Sequence, residues 1–94
     1  MSWRLILALG VATAVASPAL ACPGVFIRDS QSYDDRDPSG ALVKVNVIVP
    51  KGTKDEIVGY TIVGGKKYDV QLRAYLHDPA DIQIQKGCVL QKYE

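Results

Sequence analysis

The run LVKVNVIV, residues 42–49, decides how this chain is read. Val43, Val45, Val47 and Val49 fall on one phase, and Leu42, Lys44, Asn46 and Ile48 on the other. A period of two fits a pleated strand, whose side chains alternate between faces, and not a helix. Four β-branched residues on one phase predict a buried valine face opposite a mixed, wetter one. Pro50-Lys51-Gly52 ends the run, because proline removes a ladder donor and glycine opens a turn.

The same alternation recurs on both sides. Residues 25–28 predict a short first strand, and residues 29–40, DSQSYDDRDPSG, predict an exposed loop. Residues 57–63 and 67–76 flank Gly64-Gly65 as a hairpin. A three-residue loop, 64–66, sets Val58, Tyr60 and Ile62 opposite Leu72, Val70 and Tyr68. A two-residue loop instead pairs Tyr60 with Asp69 and Glu56 with Arg73. The first register is preferred, since it keeps charge off the buried face. After a turn at His77-Asp78-Pro79-Ala80, residues 82–85 and 88–92 predict two further strands. No window carries the i, i+3, i+4, i+7 recurrence of an amphipathic helix. The expectation is a small all-β domain, a six-stranded antiparallel β-sandwich or open barrel, with Val43, Val45, Val47, Val70, Leu72 and Ile84 in its core.

Residues 1–21 read as a cleavable signal peptide: Arg4, an apolar run from Leu5 to Val15, then Pro18-Ala19-Leu20-Ala21 with small residues at the cleavage positions. The apolar run is shorter than the roughly 20 residues of a membrane span. Residues 22–94 then form one domain, exported from the cell. Without Arg4 the eleven basic residues become ten, against ten acidic ones. That balance and the scatter of the charges argue against nucleic-acid and membrane-surface binding. A domain this small buries little apolar surface, and Cys22 and Cys88 are the only cysteines to staple it, so a disulfide between them is expected. The competing reading makes Cys22, after Ala19-Leu20-Ala21, a lipid attachment site of the bacterial lipoprotein kind. That would orphan Cys88.

Little in the chain suggests catalysis. Asp35-Arg36-Asp37-Pro38-Ser39-Gly40 spaces oxygen ligands as calcium loops do, with glycine at the sixth place. Its twelfth position, however, is Asn46 and not a bidentate glutamate, so a solvated acidic loop is the expectation. His77 is the only histidine and reads as a turn residue. No enzyme activity and no cofactor are expected. What remains is contact surface: Lys44 and Asn46 on the wet phase of the 42–49 strand, Arg28 and Arg73 if their strands neighbour it, and Tyr33 in the first loop, where no core pattern explains it.

The leader ending in Val-Ala-Ser-Pro, the mature Cys22, six predicted strands and the late Cys88 together resemble the avirulence and ToxB-like effectors of plant-pathogenic fungi. The resemblance spans residues 22–94. It implies a sandwich of two three-stranded sheets, a disulfide from the start of the first strand to the region of the fifth, no enzymatic activity, and binding of a host protein by a secreted monomer that can be translocated into a host cell. The alternatives are a bacterial periplasmic or surface protein, such as a small inhibitor or assembly component, and a calcium-dependent binding module.

Overall fold

The computed structural model describes residues 21–93. The expected signal peptide, apart from Ala21, lies outside the described residues. Seven strands form one antiparallel sheet: β1 (Cys22–Phe26), β2 (Ser30–Asp34), β3 (Val43–Val49), β4 (Lys54–Val63), β5 (Lys66–Gln71), β6 (Leu76–His77) and β7 (Ile82–Ile84), in the order β3-β2-β6-β5-β4-β1-β7. One turn of 3-10 helix, Pro79–Asp81, leads into β7 and is capped by the Asp78 side chain, which accepts from the Ala80 N–H. The fold is thus the expected all-β class. The differences lie in strand count and register.

The polar segment 29–40 is not one loop. Its first half forms β2, in which Ser30 and Ser32 point inward and are fully buried, so their alternation is that of a strand whose inner face is polar. Residues 67–76 split into β5 and β6 at a turn through Leu72 to Tyr75, where Ala74 takes a left-handed φ of 71°. Residues 88–92 form no strand. They contribute an isolated parallel bridge between Lys92 and Tyr60, with the Tyr60 N–H donating to the Gln91 carbonyl and the Tyr93 N–H to the Tyr60 carbonyl.

The β4–β5 hairpin has the two-residue loop, pairing Val63 with Lys66 and Tyr60 with Asp69. Gly64 and Gly65 both adopt positive φ, the conformation of the tight turn that matches strand twist. Turn geometry therefore overrides the preference for all-apolar pairs. Its consequence is a carboxylate, Asp69, at 3 % exposure. A bulge at Val58 then shifts the ladder, so that Ile57, not Val58, lies opposite Gln71 at the end of β5.

Two apolar clusters occupy the two faces. Phe26, Val49, Ile57 and Ile82 form the first, supported by Ile84 and Leu90. Val49 belongs to one terminal strand and Ile82 to the other, so the sheet curls its edges toward each other. Tyr68, Val70 and Leu76 form the second, with Tyr33, Leu42, Val58 and Val63 packed against it. Of the expected core, Val70 is buried and Ile84 half-buried, while Leu72 is 62 % exposed because β5 stops one residue before it. The valine face of β3 is overturned as well. Val43 is 43 % exposed, Val47 is exposed and Val45 is only half-buried, because β3 is a terminal strand and a bulge sets residues 45–47 against the single Ser32. Only Val49, beyond the bulge, reaches the core.

Candidate functional site: a free strand edge beside a buried polar chain

As the last strand in the sheet order, β3 pairs, among the described residues, through one side only, with β2. Its other side presents unpaired backbone groups, flanked by exposed Val43, Lys44, Asn46, Val47 and Ile48. Two devices restrain this edge from pairing with itself. Lys44 is a charge at the rim, and the bulge breaks the ladder over residues 45–47. The Gln31 side chain holds the bulge in place, its amide donating to the Val45 carbonyl at 2.5 Å and to the Ser32 carbonyl at 2.9 Å.

Of the residues expected to bind a partner, the sheet brings Lys44, Asn46 and Tyr33 together, Tyr33 lying directly across from Lys44. Tyr33 is not the free loop tyrosine expected from sequence. It is half-buried in β2 and meets Tyr68 edge-on, with centroids 6.0 Å apart. Arg28 and Arg73 do not extend the edge. Arg28 sits in the bend after β1 and pairs with Asp81 at 3.5 Å, Arg73 lies in the turn after β5, and neither β1 nor β5 neighbours β3.

Behind the edge lies a chain of polar groups, buried at its centre and half-buried at its two carboxylate ends, that the sequence reading missed. His77 is fully buried in β6, not exposed in a turn. Its Nδ1 is 2.9 Å from Ser30 Oγ, which donates to Asp81 Oδ2 at 2.6 Å. Its Nε2 is 2.9 Å from Gln71 Oε1, and the Gln71 amide donates to Asp55 Oδ2 at 2.6 Å. Ser32 Oγ approaches Nε2 at 3.5 Å, and the Phe26 ring meets the imidazole edge-on at 5.0 Å. Burial pushes the His77 ring below the ordinary histidine value, opposed by the negative charge of Asp81, the Gln31 carbonyl and Asp55. Burial also pushes Asp69, across the ladder from His77, above the usual carboxylate range, with Lys67 opposing.

In and beside the segment 35–40 read against a calcium loop, the carboxylates of Asp34 and Asp37 serve the local chain. Arg36 forks onto both oxygens of Asp34 at 2.8 Å, which holds that carboxyl below its usual range, and Asp37 accepts from the Ser39 N–H and hydroxyl. Among the described residues no cluster of three or more His, Cys, Asp or Glu side chains is placed to hold a metal ion. No family model, curated protein or solved structure matches this chain. The features that bear on function are the geometry of the edge, the polar chain behind it, and the Cys22–Cys88 disulfide, a bond of the kind that persists in oxidising surroundings such as the extracellular space.

Proposed function

We propose that this chain is a secreted, non-enzymatic interaction protein that binds a partner protein along the free edge of β3. The observation that carries the reading is that, among the described residues, a seven-residue terminal strand keeps one side unpaired and leaves Val43, Val47 and Ile48 exposed around it. An incoming strand gains main-chain hydrogen bonds there, while the apolar side chains supply pockets and Lys44 supplies a rim charge that favours an acidic partner. Secretion is supported by the signal-peptide pattern of residues 1–21 together with the disulfide. The resemblance to fungal effectors makes a host protein the partner class. A non-enzymatic role is supported by the burial of Ser30, Ser32 and His77, which puts both serine–histidine contacts out of a substrate's reach.

Capture from host extract followed by site-directed variants tests this. Lys44→Glu leaves the melting temperature nearly unchanged and weakens binding of the captured protein, and Asn46→Pro, folded by circular dichroism, abolishes it by removing a backbone donor and obstructing the edge. Undiminished binding by a folded Asn46→Pro protein would place the interface elsewhere.

A further inference from the structure

Strands β4, β5 and β6 stand at the centre of the sheet, and on the face that carries Tyr68, Val70 and Leu76 two outlying pieces of chain flank them. The loop leaving β2 brings Asp35 and Arg36 to the β6 side, and the C-terminal segment brings Tyr93 to the β4 side. Between them lies a cavity of about 420 Å³, within the range of about 300–1,000 Å³ usual for small-molecule sites. The buried side chains of Val70 and Leu76 close its bottom, while Ala74 and the Tyr93 ring give it apolar wall. Asp35, Arg36 and Thr61 supply its polar groups.

Two unusual backbone conformations shape this cavity. Among the described residues Ala74 is the one non-glycine residue with a positive φ, 71°. That conformation crowds an L residue's Cβ against its own backbone, and such strain persists where the surrounding structure enforces it, above all at ligand sites. Gly59 has a φ of 155°, and a Cβ there would stand 3.1 Å from the Tyr93 Cβ. Its bare backbone is what lets the tyrosine close the far wall.

The polar groups decide what fits between these walls. Arg36 turns Nε and Nη2 onto the two oxygens of Asp34, each at 2.8 Å, so its charge is matched while Nη1 keeps both of its hydrogens. Asp35 and Thr61 are half-buried, and among the described residues neither side chain has a hydrogen-bond partner. An anion would meet Asp35 and a guanidinium already neutralised, and a cation would leave the Nη1 hydrogens unserved. An added strand finds no free backbone here, because β5 and β6 are each paired on both sides. A neutral ring with hydroxyls around its rim and C–H groups on its face meets every demand. Its hydroxyls donate to Asp35, accept from Arg36 Nη1 and bond with Thr61, and its apolar face lies on Tyr93 and Ala74. We propose that this cavity is a sugar-binding site, taking one neutral pyranose ring between Tyr93 and the Asp35–Arg36 pair. The site is separate from the β3 edge, and its test involves no partner protein.

That test is titration of the isotope-labelled, disulfide-bonded protein with glucose, galactose, mannose and N-acetylglucosamine, each as the free sugar and as its methyl glycoside, followed by amide NMR. Sorbitol, a polyol with the hydroxyls but no ring, serves as the comparison. At least one pyranose moves the Thr61, Ala74 and Tyr93 amide signals and saturates in the millimolar range, the affinity open to a ligand of about a dozen non-hydrogen atoms. Binding of the free sugar alone supports the site with a free monosaccharide as its ligand, and binding of the methyl glycoside as well supports it with the end of a glycan. Asp35→Ala and Thr61→Val each weaken that binding about fivefold or more and leave the melting temperature nearly unchanged, since neither side chain has a partner to lose within the described chain. No saturable shift with any pyranose, equal shifts with sorbitol, or binding undiminished in either folded variant overturns the proposal.

Discussion

Among the described residues Asp69 is the one carboxylate that is buried. The glycine turn fixes the register, and the register leaves this carboxyl almost wholly buried, with no side-chain hydrogen bond or ion pair among the described residues. Burial raises its folded pKa above the unfolded value, so the folded state holds this proton to higher pH than the unfolded chain does. The sign follows: the residue is tolerated below the unfolded pKa, and stability is lost as pH rises through the folded pKa. Asp69→Asn should therefore raise stability at pH 7 by about 1 kcal/mol, with the gain vanishing near pH 4, measured as the shift in urea midpoint at the two pH values. Asp69 and His77 also show why this part of the interior escaped the sequence. A burial pattern is inferred from apolar periodicity, and here the inner phase of β2, β5 and β6 is written in Ser30, Ser32, Asp69, Gln71 and His77. Their hydrogen bonds to one another, except at Asp69, are what make that phase tolerable.

Among the elements, β4 is the organiser. One of its edges pairs with β5 from Ile57 to Val63; the other is divided between β1, which covers Lys54 to Ile57, and the C-terminal segment, which joins at Tyr60. The division occurs at Gly59, where an added Cβ would lie 2.6 Å from the Gln91 carbonyl oxygen and 3.1 Å from the Tyr93 Cβ. The nearer of these is backbone that cannot rotate away, so Gly59→Ala should expel the 91–93 segment. We expect a loss of about 2 kcal/mol in stability and markedly faster exchange of the Tyr60 and Tyr93 amides. The bounds of β3 and the hairpin at Gly64-Gly65 were legible because an unbroken β-branched run and a glycine pair are local signals. The burial of β3 was not, since alternation states which residues share a face but not whether anything covers that face. Being terminal in the sheet is a property of the strand order, which no window of sequence contains. Tyr33 and Lys44 were singled out for separate reasons, and the ladder makes them neighbours. For Arg28 and Arg73 the condition that their strands adjoin β3 fails.

At the scale of the whole molecule, a small sheet with a partly polar interior has limited apolar burial to stabilise it, and the Cys22–Cys88 bond compensates by constraining the unfolded chain. The bridge spans 66 residues, for which the loop-entropy account gives about 4 kcal/mol. Cys88→Ser, or reduction of the wild type, should remove most of that and leave a folded population small enough to detect by the loss of near-ultraviolet circular dichroism at 37 °C. A fully cooperative, undiminished transition under reducing conditions would show that the two clusters suffice alone. The same bridge has a consequence under tension. Its cysteines stand 5.9 Å apart across their Cα atoms, one opening β1 and the other following β7. A pull applied to chain beyond the two cysteines runs through the sulfur atoms and bypasses everything between them. Such a load peels the Lys92 bridge from β4 and then meets a covalent bond, so all seven strands remain slack while the molecule is stretched.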